Sequence, residues 1–199
     1  MMAENGELVS RADDARRFLA LTDLADNPSQ ALAAQAQVDA ILKSTPDYVP
    51  ALVIQAEIEE QKSDSAAAAR TDESILAKYP DFAPVERRLL MLYMKDPAND
   101  NKAYPVGVKA HEAYPDDPEI DADLGMIVYR QGDYTRAANL LQAGAGQKSR
   151  DAQCLYYLGM AEYHLQNRVD CKANLQRALD LNLPDALATE AKRVLAELK

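Results

Sequence analysis

Apolar residues recur at spacings of three and four along most of this chain. Leu124, Ile127 and Val128 are followed, past a polar break, by Ala137, Leu140 and Leu141. That spacing lays side chains along one face of a helix. The breaks QGDY (131–134), KSDS (62–65) and LQNR (165–168) each carry an Asp or Asn that can accept the orphan N–H groups of the helix that follows. Gly132 suits a helix C-terminus, where a positive φ costs glycine little. The pattern predicts helices near 9–24, 28–44, 48–61, 65–78, 82–95, 99–113, 117–130, 134–145, 151–165, 168–181 and 184–198. No stretch alternates as a strand does.

Two fragments share a wording 34 residues apart, LGMIVYRQGDYTRAANLL at 124–141 and LGMAEYHLQNRVDCKANL at 158–175. With Gly159 as position 8 of a unit beginning at Ala152, position 20 reads Cys171, Ala137, Ala103 and Ala68, all small. Position 16 reads Asn167, Asp133, Asn99 and Asp64, all good N-caps, and position 32 supplies Pro46, Pro80 and Pro115. A fixed period near 34 is the mark of a stacked structural unit. Close packing of paired helices calls for small residues at their crossing. Gly159 is therefore expected against Cys171, and Gly125 against Ala137. AGAGQKS at 143–149 holds two glycines where other repeats continue a helix, which predicts a weak point.

These columns resemble the tetratricopeptide repeat, with Leu-Gly, Tyr, Ala, a large apolar residue, Ala and Pro at set offsets. Repeat 152–185 matches through Leu155, Leu158, Gly159, Tyr163, Cys171, Leu175, Ala178 and Pro184, and repeat 118–151 through Leu124, Gly125, Tyr129, Ala137 and Leu141. The resemblance implies an all-α fold, a right-handed superhelical solenoid of antiparallel helix pairs with about five such units. It implies a diverged N-terminal repeat or cap over 1–48, four repeats at 49–83, 84–117, 118–151 and 152–183, and a capping helix over 184–199. In that last helix Ala188, Ala191, Val194 and Leu195 are expected to face the array, with Glu190, Lys192 and Arg193 toward water.

Charge narrows the partners. The net charge is −10 and the basic residues are interspersed with acids, as in RADDARR at 11–17, so no basic face exists to displace counterions from nucleic acid. Nor does any stretch approach a membrane helix, and the opening MMAENGELVS lacks the regions of a signal peptide. The expected compartment is the cytoplasm by default, or the periplasm where a leader has been removed. Cys154 and Cys171 cannot build a disulfide framework and are read as small buried apolar residues.

Catalytic and ligand-binding patterns are thin. His111 and His164 lie 53 residues apart in different repeats, without partners at metal-ligand spacing. AGAGQKS lacks the GxxxxGK[ST] spacing of a phosphate loop. Asp116-Asp117 and Glu59-Glu60 are expected in turns or on exposed faces. The expectation is a non-enzyme with no cofactor and no metal.

What remains is the inner face. The resemblance implies that the first helix of each pair lines a concave groove, giving Val85, Arg88 and Leu92, then Met126, Tyr129 and Arg130, then Tyr156, Met160 and Tyr163 as partner-binding residues. The core positions are already filled by Leu124, Ile127, Val128, Leu155 and Leu158, which leaves this Tyr and Met stripe partly surplus and suited to partner contact. The expected function is a protein-interaction scaffold gripping a peptide or helix. The alternative is a structural segment of a larger bacterial envelope or polysaccharide-export assembly, and a homo-oligomer stays open.

Overall fold

The computed structural model describes residues 31–145 and 151–198. All regular structure among the described residues is helical. The helices are α1 (Ala31–Ser44), α2 (Val49–Gln61), α3 (Ser65–Lys78), α4 (Ala83–Met94), α5 (Asp100–Ala113), α6 (Pro118–Arg130), α7 (Tyr134–Ala145), α8 (Ala152–His164), α9 (Arg168–Asp180) and α10 (Asp185–Glu197). A 3₁₀ turn, Pro97–Asn99, precedes α5. Each expected helix from 48 onward is present with its ends within a residue or two, and the one expected at 28–44 is described from Ala31. The helix expected near 9–24 lies outside the described residues.

Local chemistry sets these boundaries. The Asp64 side chain accepts from the Ala67 N–H at 2.9 Å, and Asp133 from that of Arg136 at 3.1 Å. Asp117 and Asp151 cap α6 and α8 in the same way, on the N–H groups of Glu119 and Gln153. Asn167 departs from the expectation: its amide donates to Asp170 and caps nothing. Ser63, Gln166 and Gly132 hold position 15 of the three turns at φ 62°, 64° and 88°. Only the glycine does so without strain.

The chain divides into two compact units, one ending at Val85 and the other beginning at Glu86. In the first, Ala34 and Val38 of α1 meet Ile54 and Ile58 of α2 in a small apolar core. Glu59 of α2 accepts from Thr71 of α3 at 2.8 Å, so one member of the Glu59-Glu60 pair ties two helices together. In the second unit a continuous core runs from α6 to α10, and Ala188, Ala191 and Val194 bury the inner side of the last helix. Glu162 and Asn174 there share a buried hydrogen bond of 2.9 Å, at the repeat positions that Glu59 and Thr71 occupy in the first unit.

The helix crossing adds a second position to the expected one. A Cβ placed on Gly125 would lie 2.7 Å from Leu141, and one on Gly159 2.8 Å from Leu175. The atoms nearest position 8 thus belong to position 24. The reason is the rise of the helix. Antiparallel partners joined near position 16 face each other at equal distances from the turn, eight residues on either side at about 1.5 Å each. Cys154 and Cys171 are buried free thiols, their pKa values pushed up by burial to about 12 and about 11.

Gly144 belongs to α7, and a Cβ there would sit 2.6 Å from the Ala122 backbone nitrogen and 2.8 Å from the Pro118 carbonyl. It is a point of close backbone approach. Residues 146–149 of AGAGQKS lie outside the described residues.

Candidate functional site

The inner face of the second unit is set by α6 and α8, which touch as the first helices of consecutive repeats. Of the nine residues expected to line a groove, Val85, Leu92, Met126, Tyr156 and Met160 are buried. Met126, Tyr156 and Met160 belong to the same core cluster as Leu124, Leu155 and Leu158. The reading of this stripe as surplus to the core is therefore corrected. Positions 5 and 9 lean into the neighbouring repeat and pack there. Burial, followed by the nearby Glu190 charge, raises the Tyr156 phenol to about 12.

Arg88, Tyr129, Arg130 and Tyr163 stay half-buried. Tyr163 donates to Glu197 of α10 at 2.9 Å, and burial raises the Tyr129 phenol well above its ordinary value. The accessible stripe keeps Arg130 from the expected set and takes position 6 in place of position 5. On α6 it consists of Glu119, Asp123 and Arg130, and on α8 of Gln153, Tyr157 and His164, the same three positions 34 residues later. Offsets of four and eleven keep three residues on one helix face.

Aromatic rings link the stripe to its surroundings. Tyr157 packs edge-on to Tyr129 and to Tyr156, each with centroids 5.2 Å apart. Tyr134 stacks on His164 at 3.9 Å with the rings 2° from parallel. The Arg130 guanidinium lies over the Tyr157 ring, 5.7 Å from its centroid, while its nitrogens donate to Asp100 at 2.5 and 2.7 Å. At the other end Arg87 donates to Asp117 at 2.9 Å and to Glu119 at 2.5 Å. Burial alone would raise the Asp117 carboxyl, but the Arg87 bond and two backbone N–H groups hold it below its ordinary value.

Asp123 stands between these pairs. Burial, joined by the charges of Asp151 and Glu119, raises its carboxyl to about 7 against the pull of Arg130 and Arg87. Residue type alone does not single out Asp123, Tyr157 or Tyr134. The signal that finds them is column position, since Asp123 and Tyr157 occupy position 6 of consecutive repeats.

The histidines take different roles. His111 of α5 places Nδ1 3.0 Å from the buried Asp121 carboxylate of α6, a tie between helices of adjoining repeats. Burial raises Asp121 above the ordinary carboxylate value, and the His111 charge opposes that rise. His164 is exposed on the stripe. Among the described residues no group of three or more His, Cys, Asp and Glu is placed to hold a metal ion. No helix among them is long and apolar enough to cross a membrane.

No protein-family model matches the chain. Over 136 residues, 68% of its length, it is 29% identical to a TPR repeat-containing protein of Pseudomonas aeruginosa, and it spans 23% of that relative's length. It is similar in structure to YrrB, described as a TPR protein with an unusual peptide-binding site, with a TM-score of 0.72, 20% identity, and coverage of 94% of this chain and 97% of that one. It is also similar to a MamA double mutant, with a TM-score of 0.68, 14% identity, and coverage of 85% and 95%. Repeat register, paired helices and these likenesses agree on the fold: the chain folds as a tetratricopeptide-repeat array.

Proposed function

We propose that this chain is a non-catalytic scaffold that holds a segment of a partner protein along the inner stripe of its second unit. The observation that carries this reading is the run of rings and charges, half-buried Asp123, Arg130 and Tyr157 with exposed His164, on α6 and α8, displayed by helices whose other faces are packed. Tyrosine and arginine are the residue types that concentrate binding energy at interfaces. YrrB, described as having an unusual peptide-binding site, shares the fold and lends the reading support. In the absence of a matched acid and base at one open site, contact is the chemistry this face offers.

Photo-crosslinking tests the proposal. A benzophenone side chain placed at Tyr157 should trap a discrete partner, identified by mass spectrometry. The same group at Gln176, exposed on α9, should not. Adducts from Gln176 alone would move the interface off the inner stripe. Adducts only between copies of this chain would favour the reading of a structural assembly segment.

A further inference from the structure

The charges on the inner stripe are unevenly matched. Arg87 is closed by Asp117 and Glu119, Arg130 by both oxygens of Asp100, and Arg193 of α10 by Glu190 and Glu197. These three arginines are thus already held by carboxylates. Asp123 has no hydrogen bond or ion pair among the described residues. Its electrostatic neighbours are two more acids, Asp151 and Glu119, and the two arginines already held elsewhere, Arg130 and Arg87. A half-buried carboxylate beside like charges is a poor stability element and a good receptor for a cation.

The second half of the receptor is aromatic. Tyr157 holds on α8 the position that Asp123 holds on α6, and the Arg130 guanidinium already lies over its ring. That contact is an internal example of what the ring accepts, since the negative face of an aromatic ring attracts guanidinium and ammonium groups. Tyr129 and Tyr156 brace the ring edge-on from two sides, so its face is presented in a fixed orientation. Glu190 and Glu197 continue the acids onto α10, and the chain as a whole carries a net charge of −10.

Resting on the proposal that the inner stripe binds a partner segment, we infer that this segment is cationic: an extended stretch bearing arginine or lysine, one of whose side chains sits between the Asp123 carboxylate and the Tyr157 ring. The carboxylate supplies a charge-assisted hydrogen bond and the ring supplies area together with a cation–π contact. Association is then steered by the acidic field and weakens with salt.

The test uses fluorescein-labelled octapeptides alternating glycine with arginine, with glutamate or with serine, followed by fluorescence anisotropy near physiological ionic strength. The arginine peptide should bind the whole chain, and the other two should not. Asp123→Asn and Tyr157→Leu should each weaken it about tenfold. Glu112→Gln, which removes the same charge from an exposed site on α5, should leave it unchanged. Thermal melts of each variant separate lost binding from lost fold, and Asp123→Asn should melt no earlier than the wild type. Equal weakening by Glu112→Gln would reduce the effect to attraction by net charge and overturn the inference. So would failure of all three peptides to bind. Asp123-dependent capture of the serine or glutamate peptide would overturn the cationic class while leaving the binding stripe in place. If the Tyr157 crosslinker also traps no partner, the stripe itself fails as an interface.

Discussion

Repeats 118–151 and 152–183 use one backbone plan twice and differ in what they mount on it. Their crossings are the same: Gly125 lies under Leu141 and Gly159 under Leu175, with the Cβ that each glycine lacks only 2.7 or 2.8 Å from the leucine. Their accessible stripes share nothing, since Glu119, Asp123 and Arg130 become Gln153, Tyr157 and His164. The difference separates two kinds of constraint. Positions that meet inside a helix pair are fixed by volume, because a buried seam has no alternative packing. Positions on the stripe face solvent and are free to carry whatever a partner requires.

The seam should therefore break first and hardest. Gly144 stands at position 27, where the next repeat has Ala178, and α7 comes correspondingly close to α6. A methyl group there would meet backbone atoms of Ala122 and Pro118, which cannot rotate away as a side chain can. Gly144→Ala should cost about 3 kcal/mol through overpacking, despite the gain of about 1 kcal/mol in helix propensity. Gly159→Leu should cost a similar amount, about 3 kcal/mol, by displacing Leu175. Ala178→Gly, the reciprocal change, should cost only about 1 kcal/mol. Urea denaturation measures all three, and a Gly144→Ala variant as stable as the wild type would refute the close approach.

The helices were legible because their causes are local: apolar spacing, an Asp cap and a proline column lie within a few residues of the boundary they set. The packing between helices was legible only in part. Small residues at positions 8 and 20 were evident, but which residue of the second helix lies nearest position 8 depends on distance from the turn. Arg130 was foreseen on the stripe, and position 6 was missed for a related reason. Whether position 5 or position 6 faces the opening depends on how each first helix leans on its neighbour, so Tyr156 and Met160 went to the core and Tyr157 stayed outside.

Position 6 gives the next contrast. The folded protein holds the Asp123 carboxyl at about 7, above its ordinary 3.8, so folding penalises its charged form. That penalty is fully present above about pH 7 and fades as the pH falls toward the ordinary carboxylate value. Asp123→Asn should therefore stabilise the protein by about 1–3 kcal/mol near pH 8 and by almost nothing near pH 4. Melts across that range check it. A pH-independent difference would mean that Asp123 is solvated like any surface acid.

The two turns differ as well, with Gly132 at φ 88° and Gln166 at φ 64° in equivalent places. Gln166→Gly should relieve left-handed strain and stabilise by roughly 1 kcal/mol, less whatever the more flexible unfolded chain takes back. Gly132→Gln should do the reverse.

The smallest effect lies in the slot between repeats. The first residue of one second helix meets the last residue of the following first helix, and the slot is filled once by Asp100 with Arg130 and once by Tyr134 with His164. The geometry is shared but the forces are not. A half-exposed ion pair is worth about 0–1 kcal/mol and is screened by salt, whereas a ring stack of about 0.5–1.5 kcal/mol rests on dispersion and buried area. Arg130→Ala should thus cost less at about 500 mM salt than at about 50 mM. Tyr134→Ala should cost the same at both. His164→Ala should likewise cost the same at both, and a cost that falls with salt would mean that charge and not ring contact holds this slot. Salt dependence at Arg130 alone would show that one backbone slot accepts two unrelated chemistries, which lets the array vary its surface while the seam beneath stays fixed.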